Sequence, residues 1–386
     1  MSYRLLHLSD LHLERSFAGS GCQGDLARRR RQGLRDALRR AGEEARVHGC
    51  QLVSIGGDLY EHERADVETG RFLAETFASW APLRVALAPG NHDPLVPGSL
   101  YSVTEWPDNV HLFTETRLAP LELEPGLTLW GLAHQEPVWL GDPLGIDVLA
   151  EAGNPAGIHL ALFHGAEMGS RPDGKSVHGP FHAARIRQLG FSAALCGHYH
   201  RRRMDLDTGL VYPGTPEPLS FDDDGRRGPV VVEVGEDGRL SWQALDVNSW
   251  TALSVGCDME GVTSATAARD RVCAELLTAA AGRPLERTLA RVDLTGCVPP
   301  SVALDVYTLE SGVRDSTGLA LVRIRDRTQP EVDAAAAAAD RTGRGAFTRA
   351  ALQAIEDAGT PEQRALLEEA LRYGLQALSG VEVGLK

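Results

Sequence analysis

Leu5-Leu6-His7-Leu8-Ser9-Asp10-Leu11-His12 opens the chain with a short apolar run that ends in an Asp and a His at alternating positions. The same grammar recurs four times. Leu52-Val53-Ser54-Ile55 runs into Gly57-Asp58, and Leu83–Ala88 into Gly90-Asn91-His92-Asp93. Ile158–Phe163 runs into His164-Gly165, and Ala193–Cys196 into Gly197-His198-Tyr199-His200. Short apolar runs bounded by turn residues read as buried strands. Each such strand delivers an Asp, Asn or His at its carboxyl end, where open α/β sheets hold their ligands. Nitrogen and oxygen donors from five strand ends are what a two-metal hydrolytic site requires. One DxH or one GD arises easily by chance; five motifs in order, each at a strand end, do not.

Working outward, helical stretches alternate with these runs. Leu26 to Val47 places Leu34, Leu38, Ala41 and Ala45 at helical spacing, and Val67 to Trp80 does the same with Phe72, Leu73 and Phe77. With Leu127–Leu132 as a further strand, the alternation predicts an α/β layered domain. Val230–Val234 and Leu240–Leu245, joined by Gly235-Glu236-Asp237-Gly238, predict a closing hairpin. From Asn248 the texture changes to a small α+β segment. Its expected strands are Ala252–Cys257, Leu289–Leu294 and Leu319–Ile324, its expected helix Ala265–Ala280, and it holds no ligand motif. Beyond Pro330 the chain is Ala-rich. Asp333 to Asp340 reads as a linker or short helix, and Phe347–Ala358 and Pro361–Leu378 as amphipathic helices. Three parts are therefore expected: residues 1–247, 248–328 and 329–386.

At 386 residues, two or three units are expected from length alone. No apolar stretch reaches the length of a membrane span, and no opening segment has the form of a secretory leader. The six cysteines are scattered without a CxxC pair, which fits a reduced, cytoplasmic protein. Cys196 lies inside an apolar run and reads as core. A formal net charge of −14 weighs against broad affinity for nucleic acid, since such affinity comes from Lys and Arg neutralising phosphates. Basic clusters at Arg28–Arg31 and Arg201–Arg203 partly offset it.

A phosphodiester resists attack because its anionic oxygens repel a nucleophile, and a pair of divalent cations removes that difficulty. Such a pair needs a bridging carboxylate and terminal ligands on each side. Asp58 is the natural bridge, following a strand and two glycines that permit close approach. Asp10 and His12 point to one side of their strand end and chelate one metal. Asn91, His164, His198 and His200 complete the donor set.

The set DxH, GD, GNHD, H and GHxH resembles the calcineurin-like metallophosphoesterase superfamily over about residues 4–235. Leu8-Ser9-Asp10-Leu11-His12-Leu13, Gly56-Gly57-Asp58-Leu59-Tyr60 and Gly90-Asn91-His92-Asp93-Pro94 resemble its bacterial DNA-repair exonuclease branch, that of Mre11/SbcD-like nuclease subunits. The resemblance implies a metallophosphoesterase β-sandwich flanked by helices, with residues 248–328 as a capping domain and 329–386 as an ATPase-docking region. It implies two divalent ions, with Mn²⁺ preferred and Fe²⁺, Zn²⁺ or Mg²⁺ also accepted by the donor set. It further implies DNA ends as substrate and a Rad50/SbcC-like coiled-coil ATPase as partner; a homodimer is an additional expectation. Carried over by motif, Asp10, His12, Asp58 and His200 hold one metal, and Asp58, Asn91, His164 and His198 the other. His92 is implied to face the scissile phosphate as a non-ligand, with Asp93 orienting its ring. Where relatives carry a Gln-Gly-Arg-like stretch, this chain has Thr215-Pro216-Glu217-Pro218-Leu219-Ser220 and then Asp222-Asp223-Asp224.

The remaining candidates rest on residue pattern. His7 faces away from Asp10 and reads as a core histidine. His62 reads as cleft-lining or solvated, while His178 and His182 lie between two motifs. Arg28 and Arg31 are the leading phosphate contacts, and Tyr199, between two ligands, is a pocket-shaping substrate contact. The expected activity is a dinuclear-metal-dependent phosphodiesterase, a DNA exonuclease of repair or end processing that uses metal-activated water in line. The alternative is an esterase for a small phosphodiester, such as a cyclic nucleotide or nucleotide-sugar, which the acidic charge favours.

Overall fold

The strand ends that carry the motifs belong to two sheets, seen in a computed structural model that describes residues 2–378 except 172, 173, 175, 236, 300, 332 and 333. Glu236 of the expected hairpin turn, Asp333 and residues 379–386 lie outside the described residues. In the first sheet β1 (Tyr3–Leu8), β2 (Leu52–Ile55), β3 (Arg84–Leu87) and β4 (Val110–Leu112) run parallel. In the second, β5 (Ala119–Glu124) is an antiparallel edge to β6 (Leu127–Gly131), which pairs in parallel with β7 (Ile158–His164) and then β8 (Ala193–Gly197). β9 (Arg203–Asp205) closes the other edge of that sheet against β10 (Leu210–Tyr212), which runs parallel to β8. The hairpin of β11 (Val230–Val234) and β12 (Leu240–Ala244) returns to the first sheet beside β1. The two orders are β12-β11-β1-β2-β3-β4 and β5-β6-β7-β8-β10-β9.

Side-chain alternation divides the core into three layers. Leu5, Leu52, Ala86, Leu160, Leu162, Ala193 and Leu195 face inward and meet between the sheets. Leu6, Leu8, Val53, Ile55, Val85 and Leu87 face outward under α1 (Gly24–Val47) and α2 (Val67–Trp80). On the far face Ala161, Phe163, Ala194 and the fully buried Cys196 lie under two short helices, Val148–Glu151 and Ala184–Gln188. The expected helix-flanked β-sandwich is therefore the observed architecture. The helices of the first face approach closely because α1 carries Gly42, where a Cβ would stand 2.2 Å from the Trp80 ring of α2. Asp66 caps α2 by accepting from the Thr69 N–H at 3.0 Å.

Within these two sheets the strands missing from the sequence reading, β4, β5, β9 and β10, are short or lie at sheet edges, where apolar runs are weak. β5 shows why: Leu121-Glu122-Leu123-Glu124 alternates with one face in solvent.

The chain forms two compact units. The first comprises Met1–Ser254, Ala279–Arg291 and Gly318–Arg323, and contains the sandwich. The second comprises Val255–Thr278, Val292–Thr317 and Ile324–Lys386. After the hairpin, strands Thr251–Asp258, Thr288–Thr295 and Leu321–Asp326 form a three-stranded sheet in that order, and helices Ala265–Ala279 and Val306–Thr317 fall between them in sequence. The helix over Val306–Thr317 is absent from the sequence reading. Gly312 and the β-branched Val306, Thr308, Val313 and Thr317 lower its intrinsic propensity, and burial of Leu309, Val313 and Thr317 stabilises it instead. Three C-terminal helices, Ala334–Ala339, Gly343–Glu356 and Pro361–Leu378, bury a small cluster of Ala337, Ile355, Leu371 and Leu375. Among the described residues no helix is long and apolar enough to cross a membrane.

Candidate metal centre

The five motifs meet because the carboxyl ends of both sheets are stitched together. The Asp10 N–H donates to the Gly57 carbonyl at 3.0 Å and the His12 N–H to the Asp58 carbonyl at 2.9 Å, zipping the loop after β1 to that after β2. Gly197, ending β8, sits so near Gly56 that a Cβ there would stand 2.0 Å from the Gly56 carbonyl oxygen. Asp10, His12 and Asp58 adopt left-handed backbones with φ of 53°, 52° and 52°, and His198 has φ of 114°. Such conformations cost about 1–3 kcal/mol each and persist where surrounding structure enforces them, most often at functional sites. Gly57, at φ 86°, has no such cost, and a Cβ on it would strike His164 Nδ1 at 2.7 Å.

Hydrogen-bond partners determine the imidazole tautomers. His164 Nδ1 lies 2.9 Å from the Gly56 carbonyl, which only accepts, so Nδ1 carries the proton of the neutral ring and Nε2 is the atom left to bind a cation or a second proton. His12 Nδ1 lies 2.9 Å from Glu61 Oε1, leaving Nε2 bare as well. Both Nε2 atoms turn toward one oxygen, Asp58 Oδ2, at 3.6 Å from His12 and 3.3 Å from His164. Both are buried, and neither makes a geometrically sound hydrogen bond; the Asn91 Oδ1 atom is buried in the same condition. Buried, unpaired donor atoms converging on a carboxylate are what a cation pair with Asp58 as its bridge requires.

The electrostatics agree. Burial opposes charge on Asp58, but His164 and His12 outweigh it and hold the carboxyl well below the usual carboxylate range. Burial likewise opposes charge on His164, yet Asp58 pushes the ring up to about 9. Both directions favour positive charge between these groups. Among the described residues three triads bring ligand-type atoms within 4.8 Å of one another: Asp10 with His12 and His200, Asp10 with Asp58 and His164, and His12 with Glu61 and His92. Asp10 accepts from the Ser9 hydroxyl at 2.5 Å and from the His198 N–H at 3.1 and 3.2 Å. The His198 ring lies 5.2 Å from that of His164, with Nε2 3.1 Å from the Ser176 carbonyl. The His200 carbonyl is held by Arg227 at 2.7 Å and by the Thr215 N–H at 3.1 Å.

His92 lies beside this set with a side chain 42% exposed, its ring edge-on to His12 at 4.7 Å. The expected Asp93–His92 pairing is corrected by the structure. His92 Nδ1 lies 2.9 Å from Glu61 Oε2, so one carboxylate spans His12 and His92. Asp93 is instead fully buried and accepts from the N–H groups of Asp58, Leu59 and Gly90 and from the Tyr101 hydroxyl, at 2.7 to 3.0 Å. It holds the loop; it does not orient the ring. Burial works against a charged His92, but Glu61 and Asp58 outweigh it and raise its affinity for a proton.

The expected substrate contacts fare unevenly. Tyr199 is buried, donates to the Glu167 carbonyl at 2.8 Å and packs on Tyr212, so its contact is with the core, not with substrate. The arginine run is dispersed by helix geometry. Arg28 pairs with Asp25, Arg29 donates to the Glu286 carbonyl, and Arg30 is buried over the Phe17 ring with the Pro218 carbonyl as acceptor. Arg31 alone of the four reaches Glu14, two residues beyond His12, at 4.0 Å. His7 is a core residue between Ser54 Oγ and the Cys196 carbonyl, its ring pushed down to about 4 by burial. The His62 N–H donates to the His92 carbonyl; His178 is buried with its ring 5.7 Å from that of His198, and His182 is exposed.

The unusual stretch after Gly214 serves architecture. Glu217 is buried and accepts from Ser249, the Trp250 N–H and Arg40, and Asp223 accepts from the Leu219 and Ser220 N–H groups and pairs with Arg227.

Two site residues escape the sequence reading. Glu61 sits three positions after Asp58, one residue beyond the β-bridge of Tyr60 with Leu13, a signal hidden within the polar run Glu61-His62-Glu63-Arg64. His134 closes the run after β6 just as the ligand motifs close theirs, but His134-Gln135-Glu136 matches none of the five motifs.

Comparison with known proteins places this geometry. A curated relative, the DNA double-strand break repair protein Mre11 of Methanopyrus kandleri, is 25% identical over 275 residues, 65% of this chain. The chain spans 58% of that relative's length. Among solved structures, TT1561 of Thermus thermophilus is 14% identical over 64% of this chain and 100% of its own, with a TM-score of 0.38. A dimetal phosphatase from Danio rerio is 13% identical over 64% of this chain and 96% of its own, also with a TM-score of 0.38. The family described as calcineurin-like phosphoesterase matches residues 3–202, just over half of the 386. The chain belongs to the calcineurin-like phosphoesterase family, metal-dependent phosphoesterases that typically bind two divalent ions.

Proposed function

We propose that this chain is a phosphodiesterase acting on DNA ends, an exonuclease of repair or end processing. The observation that carries the reading is the exposed His92 ring, clamped through Nδ1 by Glu61 beside converging, unpaired ligand atoms. The similarity to a relative named for DNA double-strand break repair supports DNA over other phosphodiesters.

In this reading Asp10, His12, Asp58 and His200 hold one divalent ion, and Asp58, Asn91, His164 and His198 the other, with Mn²⁺ preferred. When bound, the pair neutralises phosphate charge, acidifies water and holds the phosphate in line for attack. His92, its Nδ1–H retained by Glu61, presents Nε2 to the substrate and delivers a proton to the leaving oxygen. Asp93 keeps the loop carrying Asn91 and His92 rigid. Arg31, beside Glu14 at the rim, contacts a backbone phosphate; Arg28 contributes long-range attraction. Residues 248–328 cap the site and restrict which ends enter. Residues 329–386 dock a coiled-coil ATPase through their amphipathic helices, with self-association as the alternative use of that region, and the protein works in the cytoplasm.

The second reading, a small phosphodiester such as a cyclic nucleotide, is favoured by the net charge of −14 and by the burial of Arg30. Incubating the native protein and His92→Ala with Mn²⁺, end-labelled duplex DNA, bis-p-nitrophenyl phosphate and cyclic nucleotides separates the two. Release of mononucleotides that His92→Ala abolishes is expected. Hydrolysis of the small esters with DNA left intact, even with a partner ATPase added, selects the second reading.

A further inference from the structure

His134 follows β6, is fully buried, and has no place in the reaction scheme above. Its Nε2 lies 2.8 Å from the carbonyl oxygen of His164. A carbonyl only accepts, so Nε2 carries the proton, and Nδ1 of the neutral ring is left as a lone pair. That Nδ1 atom is buried without a hydrogen-bond partner. A buried unpaired polar atom is destabilising, so a side chain present for packing alone would be apolar here. The backbone of the same residue brackets the Gly90–Pro94 loop: its N–H donates to the Pro89 carbonyl at 3.1 Å and its carbonyl accepts from the Leu95 N–H at 2.8 Å. Its ring meets Trp139 edge-on at 5.0 Å and His164 edge-on at 5.7 Å.

We infer that His134 is a positioning residue for the cation held by Asp58, Asn91, His164 and His198, acting through the His164 carbonyl and the loop that carries Asn91. The inference rests on the dinuclear reading above. With the His164 peptide tied by the His134 N–H, the His164 ring keeps its own Nδ1–H on Gly56 and its Nε2 3.3 Å from Asp58 Oδ2. Without that tie the peptide rests on the Gly165 N–H bond to the Gly197 carbonyl at 3.2 Å, and two of the four donors of one cation lose a common support. The other cation, with Asp10, His12 and His200, has Glu61 as its brace and is not touched by His134.

The test uses the full chain and Mn²⁺ alone. His134→Phe keeps the ring and its edge contact with Trp139 but removes the N–H; His134→Gln keeps a side-chain N–H without the ring. Calorimetric titration gives the number and strength of Mn²⁺ sites, and low-temperature electron paramagnetic resonance reports whether two ions are coupled. Melting of the metal-free proteins measures packing. The expected result for His134→Phe is a near-native metal-free melt, with one of two Mn²⁺ sites weakened about 10–100-fold, the range seen when supports behind metal ligands are removed. The coupled signal gives way to that of isolated Mn²⁺, kcat on bis-p-nitrophenyl phosphate falls more than KM, and His134→Gln restores both. Two coupled, native-affinity Mn²⁺ ions in His134→Phe overturn the inference, as does a loss confined to the metal-free melt. If the Phe variant does not fold, His134→Leu, which also lacks the N–H, takes its place: one weakened Mn²⁺ site sustains the inference and two coupled, native-affinity ions overturn it. Failure of the native protein to bind two ions instead sinks the dinuclear reading itself, before any variant is compared.

Discussion

The carboxyl ends of the sandwich strands and the three C-terminal helices place their side chains under opposite rules. At the strand ends, residues sit in left-handed backbones, and His12 Nε2, Asn91 Oδ1 and His164 Nε2 are buried without hydrogen bonds. Every one of those features lowers the stability of the metal-free fold. In the helices, Ala337, Ile355, Leu371 and Leu375 bury an ordinary apolar stripe, and Phe347 lies against Gly374 so closely that a Cβ there would stand 2.1 Å from its ring. The first region holds unpaired atoms that a bound cation pair would satisfy. The second has only packing to lose. Substitutions in the two regions should therefore separate activity from stability.

The largest separation is expected at the bridge. Asp58→Asn keeps the oxygen that accepts from the His92 N–H at 2.9 Å, so the metal-free melt should move by only a few degrees. Removing the bridging charge forfeits several kcal/mol of transition-state stabilisation, on the order of 10³-fold in rate. Hydrolysis of bis-p-nitrophenyl phosphate measured beside thermal melts with and without Mn²⁺ checks both halves; a stability loss matching the activity loss would break the comparison.

His92 and Asp93 sharpen it further, being neighbours in sequence with opposite roles. His92→Ala should lower turnover by about 10²–10⁴-fold, the usual worth of a general acid, while Mn²⁺ stoichiometry stays at that of the native protein. Asp93→Asn should lower stability in urea by about 3 kcal/mol, because a carboxylate with four donors becomes an amide facing N–H groups. Equal activity losses without a stability change in the Asn variant would return Asp93 to the chemistry.

His7 supplies a pH test away from the ligands. Its folded ring titrates at about 4 and an unfolded histidine near 6.5, so between those values the unfolded chain binds the proton and the folded one does not. Stability of the metal-free protein should fall as pH drops through that window, with His7 contributing about 3 kcal/mol. His7→Gln should flatten the slope in urea melts; an unchanged slope removes His7 from the account. The smallest effect belongs to the helices. Leu366 is 67% exposed, so Leu366→Glu should change stability by no more than about 0.5 kcal/mol and leave turnover on the small ester native. A measurable loss of either would mean that this face is covered in the working protein.

The candidate ligands were legible in the sequence because metal chemistry restricts which side chains can serve, and β-strands with apolar cores restrict where they fall. Asp10, His12, Asp58, Asn91, His164, His198 and His200 each close or follow a recognisable run; the runs themselves implied an α/β layered domain, and the family resemblance implied the sandwich. Short edge strands such as β5, and a helix over Val306–Thr317 with poor propensity, were hidden because their stability comes from neighbours distant in sequence.

Sequence by itself determined the residue types and their order: five apolar runs, each ending in a donor, permit few other readings. Only the tertiary structure decided their partnerships. Glu61, not the adjacent Asp93, holds His92; Tyr199 turns into the core although it stands between two ligand candidates; the arginines of one run part company; His134 joins from a strand with no motif. Adjacency in sequence does not set adjacency in space, because successive side chains leave a strand or helix in different directions, and a hydrogen bond selects its partner by distance and lone pair alone.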